Sequence, residues 1–123
     1  MSIFLILLCL IVESFCREPP SIMRPGIGTT IHLNEGSRFT VMCTLTKGSE
    51  PLFFKWLKDT NTITQNFNNI KIQTLPIMST LVIDTVQKHD SGNYTCIVNN
   101  DVGEDTYTVP LLVKGTQDCD EMD

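Results

Sequence analysis

Apolar and polar residues alternate along several short stretches of the chain, most clearly between Ser37 and Thr46. One phase of this stretch is apolar and holds Phe39, Val41, Cys43 and Leu45. The other phase is mostly polar and holds Arg38, Thr40, Met42 and Thr44. Successive side chains of a β-strand point to opposite faces, so the pattern predicts a strand with one buried face.

Further short stretches predict strands in the same way, and turn residues separate them. The predicted strands cover residues 29–33, 37–46, 52–58, 70–73, 79–84, 94–98 and 106–114, with a short edge strand within 59–69. Asn34-Glu35-Gly36 and Asn99-Asn100-Asp101-Val102-Gly103 are turn signals. Short strands with turns about every 8–12 residues predict an all-β sandwich.

The start of the chain has a different pattern, because Ile3 to Val12 form an unbroken apolar run. This run is too short to span a bilayer and has the length of the hydrophobic region of a signal peptide. Small residues allow cleavage after Ser14 or after Cys16, so residues 1–16 are predicted to be a signal peptide. The alternative is a buried N-terminal strand or helix, although a Pro-Pro linker follows the run.

Length and charge narrow the classes of function. The 123 residues suffice for one domain, and 41% hydrophobic residues is typical of a globular fold. The net charge is -5, and acidic residues cluster near the end as Asp118, Asp120, Glu121 and Asp123. Residues 115–123 are therefore predicted to be a solvated acidic tail, and no basic patch for nucleic acid is expected. No second apolar stretch of about 20 residues follows, so no membrane span is predicted within this chain.

The chain has five cysteines, and removal of the signal peptide would take away Cys9 and Cys16. Secretion would bring those that remain into an oxidising compartment, where disulfides form. One of them, Cys119, lies in the acidic tail. It is predicted to be a free thiol, to pair between chains, or to pair with Cys16 if cleavage follows Ser14.

Catalysis is not predicted. His89 and Asp90 are neighbours, but no nucleophile or oxyanion-stabilising group accompanies them. No glycine-rich phosphate loop and no metal-ligand spacing occurs, and the acidic tail would attract a cation only weakly. We therefore expect a protein-binding module with no cofactor, no metal and no small-molecule substrate.

One stretch, Asp90-Ser91-Gly92-Asn93-Tyr94-Thr95-Cys96, carries the main family signal. Together with Cys43 and Trp56 upstream, it resembles an immunoglobulin domain of the intermediate set (I-set). The resemblance implies an immunoglobulin-like β-sandwich over residues 17–114, with two antiparallel sheets joined by a Cys43–Cys96 disulfide. It also implies a buried Trp56, a buried Tyr94 whose hydroxyl bonds to the preceding corner, and an Asp90 that accepts backbone bonds there.

Four further segments are similar to variable-type domains of invertebrate Down syndrome cell adhesion molecules (Dscam-like proteins). They are Pro19-Pro20-Ser21-Ile22, Phe54-Lys55-Trp56-Leu57-Lys58-Asp59, Ser79-Thr80-Leu81 and Tyr107-Thr108-Val109-Pro110-Leu111. This resemblance implies cell-surface or secreted recognition, with homophilic adhesion in neurite guidance and self-avoidance. Members of that family carry many such domains and a membrane span, so we expect a truncated, soluble or single-exon form.

Two alternatives to adhesion remain. One is a soluble, secreted immune-type binding protein that uses its loops. The other is an intracellular, muscle-type domain of the same fold, against which the signal peptide and a glycosylation sequon argue. The sequon is Asn93-Tyr94-Thr95, with Asn93 predicted to point outward and to be glycosylated.

Two outward sheet faces are candidate interfaces. The first has an apolar centre within a charged and polar rim, a pattern typical of interfaces, and is predicted to bind a second copy of the chain. It comprises Arg38, Thr40, Met42, Lys71, Gln73, Val82 and Asp84. The second comprises Phe53, Lys55, Leu57, Ile97 and Leu112, and a glycan on Asn93 would shield part of it. Scattered exposed apolar residues are also normal on protein surfaces.

Overall fold

The strands are seen in the structure of the protein, a computed structural model. It describes residues 16–24, 26, 29–64 and 69–115. They are β1 Ser21–Ile22, β2 Ile31–Asn34, β3 Phe39–Lys47, β4 Phe53–Lys58, β5 Asn61–Ile63, β6 Ile70–Leu75, β7 Met78–Ile83, β8 Gly92–Asn99 and β9 Glu104–Lys114. A short 3-10 helix, Lys88–Asp90, precedes β8. The predicted signal peptide (apart from Cys16), the acidic tail (apart from Gly115) and Cys119 lie outside the described residues.

The strands form two sheets, so the predicted sandwich is confirmed. A four-stranded sheet has the order β1-β3-β7-β6, and a five-stranded sheet has the order β2-β9-β8-β4-β5. All neighbouring strands are antiparallel except β2 and β9, which are parallel. This one parallel pair arises because the chain leaves the first sheet after β1 and joins the second as β2. The stretch between them contains Pro25, Gly26 and Gly28, residues that interrupt a strand.

A disulfide between Cys43 on β3 and Cys96 on β8 joins the two sheets, with a Cα–Cα distance of 6.4 Å. Both cysteines are fully buried, and Trp56 beside them is 2% exposed. The Trp56 indole N–H donates to the buried Ser79 hydroxyl at 2.9 Å, so the one polar atom of this large side chain is satisfied. The inward residues are those of the apolar phase in the sequence, which explains why these segments form strands.

The edge between β1 and β9 is closed by an ion pair, and we call this contact the Arg24–Asp105 seam. The Arg24 guanidinium donates to both carboxylate oxygens of Asp105, at 3.1 and 2.8 Å. Asp105 also accepts the Ile22 backbone N–H at 2.8 Å, and Arg24 donates to the carbonyls of Ile22 and Thr106. Side-chain bonds thus connect the two sheets at this edge.

The turn between β8 and β9 is shorter than the sequence pattern predicts. The Asn100 side-chain oxygen accepts the backbone N–H groups of Val102 and Gly103, each at 3.0 Å. A side chain that bonds its own turn in this way lets the chain reverse within a few residues. Strand β9 therefore begins at Glu104 rather than at Thr106.

Candidate interaction surfaces

The corner before β8 is built as the resemblance implies. The Tyr94 hydroxyl donates to the Asp90 carbonyl at 2.5 Å, and Tyr94 is fully buried with its ring 5.3 Å from that of Phe39. Burial, reinforced by the nearby Asp90 and Asp59 carboxylates, raises the pKa of Tyr94 well above its usual range. The Asp90 carboxylate accepts the Gln87 N–H at 2.8 Å, which fixes the 3-10 turn. These hydrogen bonds hold β8 in place. The polar groups of the corner are thus used for structure, and a binding site is expected on the outer surfaces of the domain.

Asn93 is exposed on β8, directly after the corner. Its backbone is held from both sides, because its N–H donates to the Asp59 carboxylate and its carbonyl accepts the Asp59 N–H. Asp59 has a φ of 56°, a left-handed conformation that aspartate tolerates better than most residues. The arrangement fixes the backbone at the sequon and points the Asn93 side chain to solvent.

The seven predicted interface residues share the outer surface of the four-stranded sheet, which we call the β3–β7–β6 face. The register places Thr40, Val82 and Lys71 in one row across the three strands. Met42 lies one row away, next to Thr80 and Gln73. Met42 and Val82 are thus diagonal neighbours, with Met42 55% exposed and Val82 half-buried.

One end of this face is charged. The Asp84 carboxylate lies 2.9 Å from Lys71 Nζ and 3.4 Å from Arg38 Nε. The hydrogen bond from Lys71 and its charge, with a smaller contribution from Arg38, hold the pKa of Asp84 below its usual value. The cluster carries two cationic groups and one anionic group, all in contact with water.

The opposite end of the face is apolar, and the sequence pattern missed it. We call this region the apolar end; it comprises Met23, Leu75, Ile77 and Met78, next to Met42. Met23, Leu75 and Ile77 are about half exposed, at 50%, 47% and 52%. Extending the alternation of β6 and β7 by one position toward their shared turn would have found Leu75 and Met78. Met23 could not be found this way, because its place depends on a backbone bond from Met23 to Thr44 on β3.

The second predicted face belongs to the five-stranded sheet, and its two exposed apolar residues lie far apart. Phe53 is 61% exposed and lies opposite Asn99, while Leu112 is 44% exposed and lies on the far part of β9. Asn93 lies opposite Pro110, so a glycan there would sit beside Leu112. Phe53 is separated from that glycan by the length of β8, about 20 Å at roughly 3.3 Å per residue.

The loop end of the sandwich is covered by residues 17–20, which we call the lead-in. Glu18 and Ser49 exchange hydrogen bonds, and the Asn100 side chain donates to the carbonyls of both at 2.8 and 3.0 Å. Arg17 forms an ion pair with Asp101 at 2.8 Å and bonds the Glu50 carbonyl. The lead-in therefore ties the β3–β4 loop to the β8–β9 turn.

Reactive groups are sparse in the described residues. No cluster of three or more His, Cys, Asp or Glu side chains that could hold a metal occurs in the ranges given above. His89 Nε2 lies 3.6 Å from the Asp90 carboxylate, but Asp90 already accepts the Gln87 backbone bond and His89 faces solvent. Within the same part of the chain, no helix is long and apolar enough to cross a membrane.

Comparisons with known proteins agree with this geometry. A family model described as an immunoglobulin domain matches residues 19–100. Human sidekick-1 is 38% identical over 79 residues, which is 64% of this chain and 3% of that protein. The muscle M-line assembly protein unc-89 of Caenorhabditis elegans is 35% identical over 111 residues, which is 82% of this chain and 1% of that protein. The chain thus spans a very small part of these relatives.

Among solved structures, the Dscam1 Ig7 domain (isoform 5) superposes with a TM-score of 0.70 at 31% identity. The match covers 78% of this chain and 97% of that domain. The two sheets, the disulfide between them, the buried tryptophan and the tyrosine at the corner are features of the immunoglobulin fold. On these grounds the chain belongs to the immunoglobulin domain family.

Proposed function

We propose that this immunoglobulin domain is a recognition module, secreted or held on the outer side of the plasma membrane, that mediates adhesion by binding a second copy of itself. The similarity to a Dscam1 domain over nearly its whole length supports this role, since Dscam-like proteins are cell adhesion molecules. By the same resemblance, the setting would be neurite guidance and self-avoidance.

The β3–β7–β6 face is the observation that carries the proposal. It combines exposed apolar side chains with one compact group of charges, whereas Phe53 and Leu112, the exposed apolar residues of the other face, lie far apart. An apolar centre with a polar rim is the usual arrangement of a protein interface. A self-contact also requires one surface to complement itself, and this face carries both signs of charge.

A loop-based immune-type binder is less well supported. Binding loops in variable immunoglobulin domains lie at one end of the sandwich, between the strands equivalent to β3 and β4 and to β8 and β9. Here the lead-in is bonded to both of these loops through Glu18, Ser49 and Asn100. A partner would have to displace those bonds before it could contact the loops.

Self-association tests the proposed face. Replacing Met42 and Val82 with Glu places two carboxylates in its centre, and the double variant should sediment as a monomer at concentrations where the unmodified chain associates. The matched control replaces the exposed Phe53 and Leu112 with Glu on the other sheet and should associate normally. If the control loses association while the Met42 and Val82 variant keeps it, the second face is the interface.

An intracellular, muscle-type role is the second candidate, because unc-89 matches most of the chain. The two roles predict different processing in a secretory host. We propose cleavage after Ser14 or Cys16, a domain over residues 17–114, an acidic tail over 115–123 and a glycan on Asn93. N-terminal sequencing should find Phe15 or Arg17 first, and peptide-N-glycosidase should increase the gel mobility of the natural chain but not of the Asn93→Gln variant. Retention inside the cell with an intact N-terminus would favour the muscle-type role.

A further inference from the structure

The outward side chains of the four-stranded sheet form rows that change from apolar to charged along the strands. The first row, at the apolar end, is Met23, Thr44, Met78 and Leu75. The next rows are Met42, Thr80 and Gln73, and then Thr40, Val82 and Lys71. Arg38 and Asp84 form the last row, joined by their ion pair. This gradient restricts how two copies of the face can pack.

Two sheets that pack face to face keep their strand axes within about 30° of each other. Two copies of this face can therefore lie with their strands running in the same direction or in opposite directions. The rows span about 20 Å along the strands and about 14 Å across them, at roughly 3.3 Å per residue and 4.8 Å per strand. The face is smaller than the roughly 800 Å² per partner of a standard interface, so the contact should be weak.

When the strands of the two copies run in the same direction, the copies are related by a two-fold axis that is parallel to the strands and lies between β3 and β7. This axis places each row of one copy against the same row of the other copy. The axis exchanges β3 with β7 and β1 with β6, so Arg38 faces Asp84 of the second copy. Met23 likewise faces Leu75, and Thr44 faces Met78. Arg38 and Asp84 each meet an opposite charge, while Lys71 has no residue of the short β1 opposite it and keeps its pair with Asp84 of its own copy. The apolar row meets an apolar row.

In opposite directions with full overlap, the charged row would cover the apolar end, and the charges would lose water without gaining a partner. Sliding the copies apart until only the apolar ends touch avoids this loss but leaves about half of the face uncovered. The parallel arrangement is the one that uses the whole face and pairs Arg38 with Asp84 on both sides of the axis.

We propose that the β3–β7–β6 face binds the same face of a second copy in parallel, about a two-fold axis between β3 and β7. This inference rests on the proposed self-association and specifies its geometry. Equivalent ends of the two copies then lie at the same end of the pair. Weak contacts of this kind strengthen one another when many copies are held together.

Charge reversal tests the orientation with the full chain. The Arg38→Asp variant alone, or the Asp84→Arg variant alone, places like charges across the axis. Each should weaken self-association measured by sedimentation equilibrium at least about tenfold. An equimolar mixture of the two variants restores opposite charges at both positions. Its association should return to within about threefold of the unmodified chain. Arg38 and Asp84 are exposed, so both variants should keep the unmodified circular dichroism spectrum and melting temperature.

The outcomes separate the two proposals. If the unmodified chain stays monomeric up to millimolar concentration, the homophilic function and the parallel pair both fail. If it associates but the mixture remains as weak as the separate variants, self-association stands and the parallel geometry is overturned. Should Leu75→Glu abolish association while both charge variants leave it unchanged, the contact is confined to the apolar end, and the parallel geometry is again overturned.

Discussion

The two sheets are joined by buried groups at the corner before β8, but at the β1–β9 edge they are joined by an ion pair that water reaches. At the corner, the Tyr94 hydroxyl and the nearby Cys96 are fully excluded from solvent. At the seam, the side chains of Arg24 and Asp105 are 44% and 23% exposed. The corner should therefore depend on packing and be insensitive to pH, whereas the seam should depend on the charge of Asp105.

The largest expected effect comes from removing the disulfide between Cys43 and Cys96, which anchors β8 just after the corner. Cys43→Ser removes a cross-link with a sequence separation of 53, which the chain-entropy treatment values at about 4 kcal/mol. A domain of this size has only about 5–15 kcal/mol in total, so the secreted variant should be largely unfolded or retained. Secreted yield and thermal melting measure this. The control Thr40→Ser removes one methyl group from an exposed residue of the same strand and should behave normally; normal yield and melting of Cys43→Ser would contradict the expectation.

A smaller effect is expected from the corner tyrosine. Tyr94→Phe keeps the ring against Phe39 but removes the hydroxyl that bonds the Asp90 carbonyl. A buried acceptor left without its donor lowers the free energy of unfolding by about 1–3 kcal/mol. Urea denaturation at neutral pH measures the change, and Tyr107→Phe, on a half-buried tyrosine of β9, is the control. Equal effects of the two substitutions would show that the corner bond has no special weight.

The smallest of the three effects concerns the seam, and it depends on pH. The Arg24 hydrogen bond, helped by backbone N–H groups, holds the pKa of Asp105 below its usual value. A carboxyl with a lowered folded pKa stabilises the fold above its unfolded pKa of about 3.9, and this stability is lost as pH falls through the folded pKa. Asp105→Asn should therefore lower the free energy of unfolding by about 1 kcal/mol at pH 7. At low pH, where Asp105 is protonated in both states, the difference should disappear.

Asp84→Asn is the matched control for the seam. The pKa of Asp84 is lowered in the same direction by Lys71, but this pair is exposed and water screens it. The free energy of unfolding that Asp84→Asn loses relative to the unmodified chain should change less with pH than the loss caused by Asp105→Asn. Denaturation curves recorded between pH 2 and 7 compare the two, and a larger effect at Asp84 would show that exposure does not set the strength of these pairs.

The same contrast explains what could be predicted from the sequence. The cysteines, Trp56 and Tyr94 are inward residues of alternating segments. Alternation can be recognised within one segment, without knowing which other segments lie beside it in the fold. The seam joins residues 81 positions apart, and neither Arg24 nor Asp105 belongs to a local pattern. The predicted interface was incomplete for a similar reason. Periodicity assigns Met42 to a face but does not reveal that Met23, directly after β1, bonds the backbone of Thr44 beside that face.

Asn100 shows a further limit of the local pattern. In the sequence it is one residue of a polar turn, and that prediction holds. Its amide nitrogen, however, also donates to Glu18 and Ser49, which are far away along the chain. A turn signal describes the backbone of its own segment and contains no information about which other segments meet there.

The close approach of Gly103 to the lead-in has a consequence for how this domain could change its mode of binding. A Cβ atom built on Gly103 would lie 2.5 Å from the Cβ of Pro19, too close for either backbone to remain in place. Because Gly103 does not have a left-handed φ, its backbone would accept a side chain, and only the space is missing. One added methyl group at Gly103 would thus push the lead-in away from the loop end of the sandwich. A single substitution there would thus uncover the loops of a domain for which we propose binding through a sheet face.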